Sequence, residues 1–316
     1  MELVGPGGDA VSAAAARPAG GTEYLPPLVR ALCDDAAVFP PGLAPLREAI
    51  AAHRQYRSSW FAGMIGPLVL PASSLAEFQA LGHPVPLCLT FPGGPKLLRG
   101  TLRQADGTSE LQAVEIAVPA GLPAGGLVTQ IEKAVDGRRV DVAVEVPRGA
   151  RGDAVLEALA GSPYRAKFRT GGVRADLYPS ESELASAVLA AVRAGVPFKA
   201  TAGLHHVVRN TDPQTGFEQH GFLNLILATD AAAAGASEPD LVRLLAQRHA
   251  ARVAERVHAL GAERTALART LFTSFGTCSI AEPRSELIGL GLLTQAGTPS
   301  GSAPAAGAAA GGSVRA

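Results

Sequence analysis

Val114-Glu115-Ile116-Ala117-Val118-Pro119, Val142-Ala143-Val144-Glu145-Val146-Pro147, Ala166-Lys167-Phe168-Arg169-Thr170-Gly171-Gly172 and Phe198-Lys199-Ala200-Thr201 are short apolar runs that carry charge inside them. On a strand, side chains at i and i+2 share a face, so parity decides which of these charges meet. Glu115 and Glu145 each stand an even number of residues before the proline that closes their run, and are predicted to face the same side. Lys167 shares its face with Arg169, and Lys199 with Thr201. The remaining positions are apolar on both faces, as expected of parallel strands with helices on one side and a packed interior on the other.

The same rhythm extends outward: a short apolar run, a turn with Pro or Gly, then an amphipathic stretch. Strands are predicted over 68–71, 85–91, 111–118, 140–146, 164–169, 196–201 and 269–275, with a first strand or cap within 32–39. The clearest helix spans 182–194, with Pro179 and Ser180 as start signals and Gly195 as a stop. Two further helical stretches cover 221–234 and 238–260. Seven or eight strands alternating with helices indicate an α/β fold, a (β/α)8 TIM-like barrel, with an open doubly wound parallel sheet as the alternative. One domain is expected over 23–294. The Ala/Gly/Ser-rich ends, 1–22 and 295–316, carry too little apolar surface to offset the entropy of ordering.

Of the 316 residues, 47% are hydrophobic and 18% charged, below the usual charged share of about 25%, which indicates a large buried core. Lys plus Arg and Asp plus Glu number 28 each, so no basic excess points to nucleic acid or an anionic membrane. A small molecule bearing phosphate or carboxylate is the expected partner, with homo-oligomerisation left open. Cys33, Cys88 and Cys278 are far apart and lack C-x-x-C spacing, against a disulfide framework or zinc knuckle. The N-terminus lacks the basic start and apolar run of a secretion signal, so a cytoplasmic location is expected. The uncharged segment 58–76 is interrupted by Gly63, Gly66, Pro67 and Pro71 and reads as a loop entering a buried strand, not a membrane span.

Charge on adjacent strands near their C-terminal ends is where barrel active sites form. The bland alternative is a set of structural ion pairs, for example Glu145 with Lys167. Desolvating several ions is costly, which favours a site. Glu115, Glu145, Lys167 and Lys199 are the candidate catalytic residues. Arg169, Thr170, Gly171, Gly172 and Thr201 are candidates for holding an anion, since glycine at a strand end lets backbone N–H groups approach one. Beyond Gly203, Leu204-His205-His206-Val207-Val208-Arg209 and His220-Gly221-Phe222-Leu223-Asn224 add His205, His206, Arg209, His220 and Asn224 as substrate-binding candidates. Neighbouring histidines on extended backbone point apart, so only one of His205 and His206 is expected at the centre. A metal held by one of them with His220 and Asp34 or Asp35 is conceivable, but no ligand spacing supports it; neither metal nor cofactor is predicted. Asp34 and Asp35 read as a turn cap.

The pair of segments from Lys167 to Gly172 and from Lys199 to Gly203 resembles the paired-lysine region of deoxyribose-phosphate aldolases and related class I aldolase barrels. There one strand carries the Schiff-base lysine in K-T-x-T-G and the next a second lysine before a glycine turn. The resemblance covers about forty residues and implies Lys167 as the Schiff-base lysine and Lys199 as the neighbour that depresses its pKa. Phe168 and Arg169 replace small residues after the lysine. The acid of the family's E-x-D strand falls at Ala117, leaving Glu115. The expectation is a lyase of aldolase type acting on a small anionic carbonyl metabolite. The alternatives are a non-covalent isomerase, decarboxylase or metal-assisted lyase, and a non-catalytic ligand-binding or scaffold barrel.

Overall fold

The computed structural model describes residues 25–106 and 110–295. Among them eight parallel strands pair in a ring: β1 (Cys33–Asp35), β2 (Ile65–Pro71), β3 (Leu87–Phe91), β4 (Leu111–Ala117), β5 (Asp141–Glu145), β6 (Arg165–Arg169), β7 (Phe198–Thr201) and, after the small antiparallel hairpin of β8 (Asn210–Thr211) and β9 (Glu218–Gln219), β10 (Phe272–Thr277). Closure comes from the first strand pairing with the last, Cys33 with Phe275, Asp34 with Gly276 and Asp35 with Thr277. That pairing makes the fold a (β/α)8 barrel and excludes the open sheet. The expected terminal tails, except residue 295, lie outside the described residues.

Helices α1 (Leu46–Arg57), α2 (Leu75–Leu81), α3 (Leu98–Ala105), α4 (Ala124–Val135), α5 (Ala150–Leu159) and α6 (Glu181–Arg193) each follow one strand and cover the outside. Helix α6 starts where its sequence signals place it: Ser180 accepts from the Glu183 N–H, and the Glu183 carboxylate accepts from the Ser180 N–H. The strands' outward face is apolar. Phe168, Phe198 and Phe272 form a ridge with ring centroids 5.1 and 5.5 Å apart, on the side opposite Lys167.

Three helices separate β7 from β10: α7 (Phe222–Ala233), α8 (Glu238–Leu245) and α9 (Ala250–Leu271); α10 (Ala281–Gly289) follows β10. Helix α7 is buried almost all round, against α6, α8, α9 and β10. The single helix expected over 238–260 is two, because Asn224 donates to the carbonyls of Leu244 (2.7 Å) and Gln247 (2.8 Å) and so satisfies the end of α8 from outside. No helix among the described residues is long and apolar enough to cross a membrane.

Candidate active site

Strand pairing sets Glu145 beside Lys167 and Lys167 beside Lys199. Their side chains meet Glu115 across the barrel interior. Lys167 Nζ donates to Glu115 Oε2 at 2.7 Å and lies 3.0 Å from Glu145 Oε2. Lys199 Nζ donates to the other oxygen of Glu115 and to Asp34 Oδ2, both at 2.5 Å. Ser274 Oγ donates to that same Asp34 oxygen at 2.9 Å, and Arg169 Nε donates to Glu145 Oε1 at 3.1 Å. Three carboxylates and three cations thus form one continuous, electrically balanced chain.

Asp34, Glu115, Lys167 and Lys199 are all buried. Burial alone costs several kcal/mol per ion, and only close, well-bonded opposite charges recover it. For Glu115, burial pushes the carboxyl pKa up, but the two ammonium groups outweigh it and hold the group well below the usual carboxylate range. For Lys199, burial opposes the charged form, and Asp34 and Glu115 outweigh it, raising the pKa. Lys167 shifts the same way, with burial again opposed by Glu115 and Glu145. The sequence-based expectation that Lys199 depresses Lys167 is therefore reversed: each lysine is bonded to carboxylates, which dominate over the neighbouring cation.

A cavity of about 330 Å³ opens above this chain at the C-terminal mouth of the barrel. Its floor is Glu115, Glu145, Lys167 and Arg169, and its walls are mainly apolar. Lys199 is absent from this lining. It borders instead a second hollow of about 310 Å³ beneath the ionic layer, with Asp34, Glu115, Cys88 and Ser274. Small inward residues leave that space; a Cβ on Gly66 would stand 2.0 Å from Asp34 Oδ1.

Of the other candidates, Gly172, Thr201 and His205 line the mouth. Thr170 Oγ1 donates to the Ala202 carbonyl at 2.6 Å. Gly171 is glycine because the β6 and β7 turns nearly touch: a Cβ there would lie 2.6 Å from the Tyr178 ring and 2.9 Å from the Gly203 Cα. His206 turns away to Glu286, with Nδ1 2.5 Å from Oε1. Arg209 is buried against Glu181 (2.7 Å) and Glu218 (3.4 Å), away from the mouth. Asn224 accepts from the Arg209 N–H besides ending α8.

His220 donates through Nε2 to the Pro179 carbonyl at 2.8 Å, and burial lowers its pKa to about 4. From about pH 6.5, where the unfolded chain takes this proton, down to 4, the folded state refuses it, so stability falls as pH falls. The loss should reach about 3 kcal/mol at about 1.4 kcal/mol per pH unit. Thermal unfolding of the parent and of His220→Gln between pH 7 and 4.5 should show a shallower pH slope in the variant, and equal slopes would place the effect elsewhere.

Sequence parity did not reveal Asp34, Ser274 or Cys278. His205 Nδ1 stands 3.3 Å from Thr277 Oγ1, 3.4 Å from Glu282 Oε2 and 3.7 Å from Cys278 Sγ, on the wall of the mouth. Burial lowers the His205 pKa and raises that of Cys278 to about 11. Asp35 faces away from Lys199 and holds buried His53 at 3.0 Å. No group of three or more His, Cys, Asp or Glu among the described residues is arranged to hold a metal ion.

No protein-family model matches the chain, and no curated protein matches it in sequence. Several solved structures follow a similar course. A monomeric dihydrodipicolinate synthase variant has a TM-score of 0.39 and 12% identity, over 84% of this chain and 98% of that one. Dihydrodipicolinate synthase of Thermotoga maritima gives 0.36 and 11%, over 84% and 100%. The carboxyl transferase domain of Rhizobium etli pyruvate carboxylase, solved with pyruvate and biocytin, gives 0.36 and 14%, over 79% and 50%. The chain is similar to these in outline; its barrel rests on its own strand pairing, and its site is read from its own residues.

Proposed function

We propose that the barrel is an enzyme of lyase or aldolase type that acts on a small anionic carbonyl compound through an imine on Lys167. The observation that carries this reading is the position of Lys167 Nζ: it is the lysine amine that faces the mouth, and it touches two carboxylates. Glu115 is enclosed and shared with Lys199, whereas Glu145 is partly open to the cavity, so Glu145 is the group placed to exchange protons. In the proposed sequence Glu145 takes a proton from the Lys167 ammonium, and the free amine adds to the substrate carbonyl carbon. The carbonyl oxygen takes one proton from the adding amine and the one that Glu145 had accepted, and leaves as water. The resulting iminium accepts the electron pair of the C–C or C–H bond that breaks next to it. Arg169 holds the substrate's anionic group.

The raised pKa of Lys167 favours a second reading on the same groups. An ammonium that keeps its proton would stabilise an enolate while Glu145 moves a proton, as in an isomerase or decarboxylase. A scaffold role would suit a centre sealed by its ion pairs; here the pairs border an open cavity.

Borohydride reduction with candidate aldehydes and keto acids, followed by peptide mass spectrometry, separates these. The imine reading expects an adduct on Lys167, lost in Lys167→Met and kept in Lys199→Met. Exchange of a substrate α-deuterium with no adduct on any probe would transfer the assignment to proton transfer.

A further inference from the structure

The mouth narrows the substrate class, an inference that rests on the reading of this cavity as the substrate site. We infer that the ligand carries one carboxylate and an apolar body, not the phosphate and row of hydroxyls of a sugar phosphate.

The first observation is the supply of charge. Arg169 is the cation at the mouth with bonding capacity left over: its Nε is taken by Glu145, and its two terminal nitrogens have no partner among the described residues. That free edge matches the two oxygens of a planar carboxylate. Lys167 and Lys199 are already matched by Glu115, Glu145 and Asp34. A phosphate ester, with about −1.5 to −2 charge at neutral pH, would bring a second negative charge to a mouth whose other cations are already bonded to carboxylates.

The second is the close packing of the turns after β6 and β7, which takes up the Thr170 donors and fills the space over Gly171 and Gly172. The Thr170 N–H donates to the Thr201 carbonyl at 2.9 Å and the Thr170 hydroxyl to Ala202. The space over Gly171 is filled by Tyr178 and Gly203. The glycines thus serve the contact between two turns.

The third is the wall. Phe39, Val69, Pro71, Phe91, Val173 and Leu177 surround the floor. Outside the ionic chain, the polar side chains of the lining are those of Thr90, Thr201, His205 and Cys278. Several substrate hydroxyls facing such a wall would go unpaired, each weakening binding by about fivefold or more. Val173 is 70% exposed although apolar, so its side chain at the rim is available to cover a ligand's tail. A cavity of about 330 Å³ corresponds to about ten water volumes of ~30 Å³ and holds a short acid with a compact tail.

Calorimetry and thermal shift with three unreactive probes test this independently of imine chemistry: butanoate, 4-phenylbutanoate and glycerol 3-phosphate. The phenyl acid should bind at least tenfold tighter than butanoate, since each methylene-sized group moved onto the wall contributes about fourfold. Leu177→Ser should remove most of that difference, and Arg169→Gln should weaken both acids by about the same factor, roughly tenfold. Equal affinity of the two acids, preference for glycerol 3-phosphate, or binding of none of the three overturns the inference. Trapping then separates it from the imine reading. A borohydride adduct with glyceraldehyde 3-phosphate but none with 4-phenyl-2-oxobutanoate would overturn the inference and leave the imine standing. Tight binding of 4-phenylbutanoate with no adduct from 4-phenyl-2-oxobutanoate or any other carbonyl probe would do the reverse.

Discussion

Replacing Glu115 with alanine is expected to destabilise the fold by about 3–5 kcal/mol, because it removes the carboxylate that two buried ammonium groups share. At about 2–4 °C per kcal/mol for a domain of this size, the melting temperature should fall by about 10 °C or more at pH 7. The lysines have one way to limit the loss: without Glu115, burial lowers their pKa and one of them can shed its proton. The pH dependence therefore carries the diagnosis. A folded-state lysine pKa below the unfolded value of about 10.4 means that the folded variant binds fewer protons than its unfolded chain, so its stability rises with pH toward that value. The parent, whose folded lysines sit above the unfolded value, gains nothing over that range. Thermal unfolding at pH 7 and pH 9.5 should thus bring variant and parent closer together at the higher pH. A variant that melts within 2 °C of the parent at pH 7 would mean that water, not Glu115, compensates these charges.

Gly66→Ala is expected to produce the second large effect from a single methyl group. The new Cβ would stand 2.0 Å from Asp34 Oδ1, 3.1 Å from its Cγ and 3.4 Å from its Cα, so the carboxylate must move. It has little room to do so, since its other oxygen holds both Lys199 and Ser274. Overpacking costs about 1–3 kcal/mol, and loosening a buried pair adds to it, for a total of about 3 kcal/mol or more. The companion variant Asp34→Asn with Gly66→Ala should cost less than the sum of the two single changes, because both act on the same contact. Additive losses in denaturant unfolding would show that Gly66 is required for another reason.

Parity along the strands was enough to bring Glu115, Lys167 and Lys199 to one place, because in a strand whose other residues are apolar a charge has few ways to point. Parity also orders the rim: Arg169, two residues beyond Lys167, emerges at the mouth. Asp34 was hidden from this logic. Its strand has three residues, Cys33-Asp34-Asp35, too few for alternation to show, and adjacent aspartates look like a cap. Only the pairing of β1 with β10, a contact between opposite ends of the chain, turns one aspartate inward to Lys199 and the other toward His53. The two histidines divided as local geometry requires, but which of them faces the cavity depended on Glu286 of α10, some eighty residues away, which draws His206 off. The break between α8 and α9 was equally non-local, since it depends on the Asn224 side chain from α7.

Because each charge in the barrel leans on the next, from Arg169 through Glu145, Lys167, Glu115 and Lys199 to Asp34, these six positions form a single unit of inheritance. A descendant that lost any one of the enclosed members alone would keep a stranded ion, whereas one that exchanged matched neighbours together for apolar residues would lose little stability. Drift through this centre is closed to single steps and open to paired ones, so related barrels should either carry the whole set or have shed it in balanced pairs.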